Sequence, residues 1–135
     1  MAFSGADMKN PILIFESYDL AIYRSAHQAS LHLEKVDVEN KIYDAYDSDG
    51  FLLDIVIKLM EVEHKLFNIR WKESKEVIAI EEHHPKIDCS EKVLHRLVQY
   101  LKSPKCPEED LKNLSLNELI KLASKRMGWK VDLPE

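Results

Sequence analysis

Residues 42–60 read Ile-Tyr-Asp-Ala-Tyr-Asp-Ser-Asp-Gly-Phe-Leu-Leu-Asp-Ile-Val-Ile-Lys-Leu-Met. The first six residues alternate. In an extended chain Ile42, Asp44 and Tyr46 fall on one face, and Tyr43, Ala45 and Asp47 fall on the other. Ser48-Asp49-Gly50 follows. An Asp-Gly pair between two apolar runs is a strong hairpin signal, because both residues tolerate positive φ. Phe51–Met60 continues as a strand, nearly all apolar, with Asp54 and Lys58 interrupting it.

Working downstream, a second hairpin is expected through Glu61–His64 and a further strand over Lys65–Trp71. There Phe67, Ile69 and Trp71 share one face, and Asn68 and Arg70 the other. A turn at Ser74-Lys75 and a strand over Val77–Glu81 complete the sheet half, which His84-Pro85 closes. Upstream, Ile12–Phe15 after Pro11 reads as a strand. Ser25 three residues before Gln28 suggests the start of a helix with Ala26, Ala29, Ser30 and Leu33 inward, ending near Lys35.

After the sheet, Asp88-x-x-Glu91 has the spacing of a capping box. Val93, Leu94, Leu97, Val98 and Leu101 recur at helical spacing. Pro104 and Pro107 break that helix, and Pro107-Glu108-Glu109-Asp110 opens a short one. Ser115-x-x-Glu118 caps a last helix carrying Leu116, Leu119, Ile120, Ala123 and Met127, with Gly128 where a C-terminal cap belongs. The expectation is a single α+β domain over 11–135: an antiparallel β-meander of about four to five strands, with an N-terminal helix and two to three C-terminal helices packed on it. Residues 1–10 lack periodicity and are expected to be a disordered leader or tag remnant, with Met8 as a candidate native start.

The chain has 135 residues, 45% of them apolar and 32% charged, which fits one globular domain and argues against disorder. Its net charge of −5 disfavours non-specific nucleic-acid binding. No apolar run approaches the ~18 residues a membrane span needs, and no signal-peptide pattern is present, so a cytoplasmic location without membrane association is expected. The charge is unevenly spread. Residues 1–63 carry 5 basic and 12 acidic side chains, whereas residues 64–135 carry 14 and 12. The densest acidic stretch, Glu34–Asp54, sets seven carboxylates against Lys35 and Lys41. Such a surface keeps a protein in solution, and it can also steer a basic partner toward it. Tyr18, Tyr23, Tyr43 and Tyr46 lie in the same half, and tyrosines with carboxylates suit an interface against a basic protein.

Motifs for chemistry are sparse. Cys89 and Cys106 flank the long helix, about 20 Å apart, too far for a disulfide; both are expected as free thiols. Asp44–Gly50 resembles a calcium loop only until it is counted: with Gly50 at the sixth position, Ala45 and Val56 stand where carboxylates are required. His27, His32, His64, His83, His84 and His95 lack metal-ligand spacing. No phosphate-binding glycine loop, nucleophile elbow or His-Glu-x-x-His pair occurs. No catalytic residue, metal or cofactor is expected.

Three stretches resemble a known group: Ile-Phe-Glu-Ser-Tyr-Asp-Leu (14–20), Leu-Glu-Lys-Val-Asp-Val-Glu-Asn (33–40) and Tyr-Asp-Ala-Tyr-Asp-Ser-Asp-Gly-Phe-Leu-Leu (43–53). They are similar to immunity proteins of bacterial polymorphic toxins, including those of contact-dependent growth inhibition. The resemblance implies a non-catalytic inhibitor that binds and neutralises a cognate basic toxin domain, a nuclease in many such systems, as a monomer in a 1:1 complex. The contact candidates are Glu34, Asp37, Glu39, Asp44, Tyr46, Asp47 and Asp49. The alternative is a small enzyme or ligand-binding domain with its site around Glu81, His83 and His84.

Overall fold

A computed structural model describes residues 8–17 and 19–127. Five strands form one sheet: β1 (Ile12–Glu16), β2 (Asp19–Tyr23), β3 (Tyr43–Tyr46), β4 (Leu52–Leu66) and β5 (Ile69–Glu82). Their order across the sheet is β2-β1-β3-β4-β5, and every neighbouring pair is antiparallel. Among the described residues five helices accompany them: α1 (Ala26–His32), α2 (Lys35–Glu39), α3 (Ser90–Leu101), α4 (Glu108–Leu111) and α5 (Leu116–Arg126). The α+β class and the antiparallel sheet agree with the sequence.

β1 lies between two strands and is covered on both faces, which is why Ile12-Leu13-Ile14-Phe15 is apolar without alternation. All four side chains are buried. Leu13 and Phe15, with Tyr46, pack against Val93, Leu97 and Leu101 of α3 and Leu119, Ile120 and Ala123 of α5. Ile12, Ile14 and Ala45 turn the other way, onto Ala29 of α1, Val38 of α2, Leu33 between them, and Leu53 and Ile80. Two apolar clusters therefore sandwich one end of the sheet. Each buried Leu, Ile, Val or Phe in them contributes about 1.5–3 kcal/mol. The Phe15 and Tyr46 rings meet edge to face, 6.0 Å between centroids.

Several local expectations are corrected. β2 occupies a stretch where no strand is expected from sequence; Leu20 and Ile22 are its only fully inward side chains, too few for a periodic signal. The first helix is interrupted: Leu33 turns extended (φ −88°, ψ 140°) and residues 35–39 form a separate α2. α3 begins after Cys89, and Asp88 accepts the Ser90 N–H at 2.9 Å without forming a box with Glu91. The Ser115–Glu118 box is present in both directions. Gly128 lies outside the described residues. Met8, Lys9 and Asn10 belong to the domain: Met8 is buried, and Ser48 donates its N–H to the Lys9 carbonyl (3.0 Å) and its hydroxyl to that of Asn10 (3.1 Å).

The largest correction concerns β4 and β5. No turn occurs at Glu61–His64 or at Ser74-Lys75; both segments are strand, paired with each other as Met60↔Lys75 and Glu61↔Ser74. The chain reverses once, between Leu66 and Ile69, with Phe67 at φ 56°. Charged residues concentrate here because this part of the hairpin has no helix over it, and exposure gives a strand the composition of a loop.

Candidate functional site

The acidic stretch is distributed over α2, β3 and the β3–β4 turn. Glu34 precedes α2, which carries Asp37 and Glu39; Asp44 lies on β3 and Asp49 in the turn. Glu34, Glu39, Asp44 and Asp49 are exposed. β3 pairs with β4 only through Ala45↔Leu53 and Tyr46↔Leu52. Beyond those pairs the strands part, and a cleft of about 350 Å³ opens between them, lined by Val38, Lys41, Tyr43, Asp44, Asp54 and Ile55 among others.

Tyr43 links the cleft to neighbouring carboxylates. Its hydroxyl donates to Asp37 Oδ2 at 3.2 Å. In the ladder Glu16 pairs with Tyr43 on one side and Asp19 on the other. Burial raises the Tyr43 hydroxyl above its ordinary range, a hydrogen bond with the Glu34 backbone opposes this, and the carboxylates of Asp37 and Glu16 raise it further. Tyr23 is likewise raised, first by burial and then by Glu16. Both phenols therefore feel the negative charge of Glu16. Glu16 and Asp19 are absent from the sequence-derived set; their signal was the register, which the chain order does not display.

Two candidates lie inside the protein. Tyr46 is 1% exposed and packs in the core. Asp47 is 2% exposed and organises the turn: its Oδ1 accepts the N–H groups of Asp49 (2.9 Å) and Phe51 (3.0 Å), and Oδ2 that of Lys9 (3.5 Å). Neither presents its side chain to a partner, so both leave the contact set. The alternation that places Asp44 and Tyr46 on one face is correct, but at Tyr46 that face meets α3. Asp47 follows the Asx-turn chemistry of its residue type. Gly50 completes the turn at φ 87°, where a Cβ would stand 2.6 Å from the Ser90 Cα.

Asp44 is exposed and ion-paired. Arg96 of α3 donates to its Oδ2 at 2.8 Å and to the Ser17 carbonyl at 3.1 Å, and its guanidinium covers the Phe15 ring at 4.2 Å. This side chain pins the β1–β3 end of the sheet to α3, a role without a sequence signature because its partners lie 52 and 79 residues away.

Around the alternative site, His83 Nδ1 and Asp54 Oδ1 are 2.9 Å apart, and Lys58 is paired with Glu81. His84 is exposed. Lys58 and Glu81 form an ion pair across β4 and β5, and His83, just past β5, contacts Asp54 of β4. Cys89 and Cys106 are free thiols. Among the described residues no group of three or more His, Cys, Asp or Glu side chains is placed to hold a metal ion, and no helix is long and apolar enough to cross a membrane. Comparison with protein-family models, with curated proteins and with solved structures finds no match to this chain.

Proposed function

We propose that the chain is an immunity protein that binds and neutralises a basic toxin domain, of the nuclease class, in the cytoplasm. The observation that supports this most is the placement of Asp37, hydrogen-bonded to Tyr43, and of Glu16, the ladder partner of Tyr43, beside the exposed carboxylates of Glu34 and Glu39. A rim of carboxylates with tyrosines among them complements a cleft built to hold phosphates, and it accelerates encounter by steering. The contact residues are Glu16, Glu34, Asp37, Glu39 and Asp49, with Asp44 contributing from beside Arg96.

The test is titration calorimetry against purified basic nuclease-toxin domains, beginning with any that is encoded next to this gene. Glu16→Lys/Glu34→Lys changes two exposed groups and leaves the core untouched. Its expected effect is a loss of affinity of at least tenfold that steepens as salt is lowered. Unchanged affinity with a folded variant would remove this rim as the interface. The contact of Asp54 with His83 favours a second reading, a ligand site near Glu81 and His84, and His83→Ala would abolish its activity while leaving toxin binding intact.

A further inference from the structure

The distal half of the β4–β5 hairpin is an amphipathic arm. Odd residues of β4 and their partners face the α1–α2 side, where beyond Ile57 they are mostly charged, as in Glu61↔Ser74, Glu63↔Lys72 and Lys65↔Arg70. Even residues face the α3–α5 side, since Leu52 packs with the α3 cluster. This second face reads, from base to tip, Val56/Ala79, Lys58/Val77, Met60/Lys75, Val62/Glu73, His64/Trp71 and Leu66/Ile69. Met60 is 51% exposed, Leu66 59%, Ile69 65% and Trp71 45%, and Phe67 at the tip reaches 85%. An apolar stripe about 33 Å long, on a two-stranded ribbon, is left in water.

The order of side chains along this stripe fits a copy of itself. Lay a second arm face to face and antiparallel on the first, with the two-fold axis between the Met60/Lys75 and Val62/Glu73 levels. β4 then crosses β4 and β5 crosses β5. Glu73 meets the second copy's Lys75, and Lys75 meets its Glu73. Met60 lies over Val62, Trp71 over Val77, Leu66 over Val56 and Ile69 over Ala79. The one polar mismatch is His64 over Lys58; Lys58 is paired with Glu81, and Glu73 holds His64 through Oε2, which leaves its other oxygen for the second copy's Lys75. Six cross-strand levels on each copy would be covered, a small interface of the weakly associating class.

We infer that the arm is a homodimerisation surface, in which two copies pack their Val56–Ile69 stripes antiparallel and are registered by reciprocal Glu73–Lys75 pairs. This assembly is separate from the acidic rim and stands without it, and it replaces the monomer expected from sequence. Sedimentation velocity on the full chain, from about 5 to about 200 µM, brackets a micromolar association. The expected result is a shift from 15.7 kDa toward twice that mass. Glu73→Lys places lysine opposite lysine twice, and Lys75→Glu does the same with carboxylates; each should weaken the dimer at least tenfold. The double variant Glu73→Lys/Lys75→Glu restores opposite charges and should recover wild-type association. All four positions in the paired copies are exposed, and circular dichroism checks that each variant is folded. A chain that stays monomeric across the range, or single and double variants that associate alike, would overturn the proposal.

Discussion

β4 passes through two environments, and its sequence changes between them. Leu52–Ile57 (Leu-Leu-Asp-Ile-Val-Ile) is almost wholly apolar and lies where Leu53 and Ile55 belong to the cluster on one face and Leu52 to the cluster on the other. Lys58–Leu66 (Lys-Leu-Met-Glu-Val-Glu-His-Lys-Leu) mixes charge into every turn of the pleat and is exposed over most of its length. The difference teaches that strand composition reports what covers each face. Two covered faces give an unbroken apolar run; a bare ribbon gives polar residues on one face and an interrupted apolar stripe on the other.

The comparison is broken most directly by equal truncations in the two regions. Leu97 is fully buried between the sheet and α5. Leu97→Ala should cost about 3–4 kcal/mol in urea unfolding through lost burial and the cavity left behind. Leu59, also a leucine, is 75% exposed on the arm, and Leu59→Ala should stay within about 0.5 kcal/mol. Similar costs at both sites would mean that the arm is packed in the folded protein. Gly50→Ala tests the covered end, at the turn that leads into β4. A side chain there must hold φ 87° and displace Ser90 at the start of α3, so a loss of roughly 3 kcal/mol is expected in the same assay.

This contrast also explains what could be read from the chain. The core of the body was legible: Ile12–Phe15, the inward faces of α3 and α5, the Ser115–Glu118 box and the Asp49-Gly50 turn each carry a local pattern with one physical meaning. The arm was not, because exposure alone gives Glu61–His64 and Ser74-Lys75 the composition of turns, while their mutual pairing is a fact of register. The candidate site was legible in charge but not in arrangement. The excess of carboxylates over 34–54 is a count; that Tyr46 and Asp47 turn inward, that Arg96 takes Asp44, and that Glu16 and Asp19 join the rim all depend on contacts between distant segments.

The smallest effect separates a structural carboxylate from a functional one. Asp47 has its carboxyl raised above the usual range, first by burial, with the N–H groups of Phe51, Asp49 and Lys9 pulling it down and the charge of Asp49 adding to the rise. A carboxyl whose folded pKa exceeds its unfolded value binds its proton more tightly in the folded state. Its contribution to stability therefore grows as pH falls from neutrality through the folded pKa and is lost as pH rises again. Asp47→Asn keeps an oxygen to accept the two N–H groups of the turn and carries no charge to desolvate, so at pH 7 it should lie within about 1 kcal/mol of wild type. Asp47→Ala leaves those N–H groups without their acceptor and should cost about 2 kcal/mol. Urea unfolding at pH 7 and pH 5 checks both, the wild type gaining on Asp47→Asn at the lower pH. If Asn were as costly as Ala at pH 7, the negative charge itself would be needed at this buried turn, and Asp47 would rejoin the exposed carboxylates in carrying charge as its task.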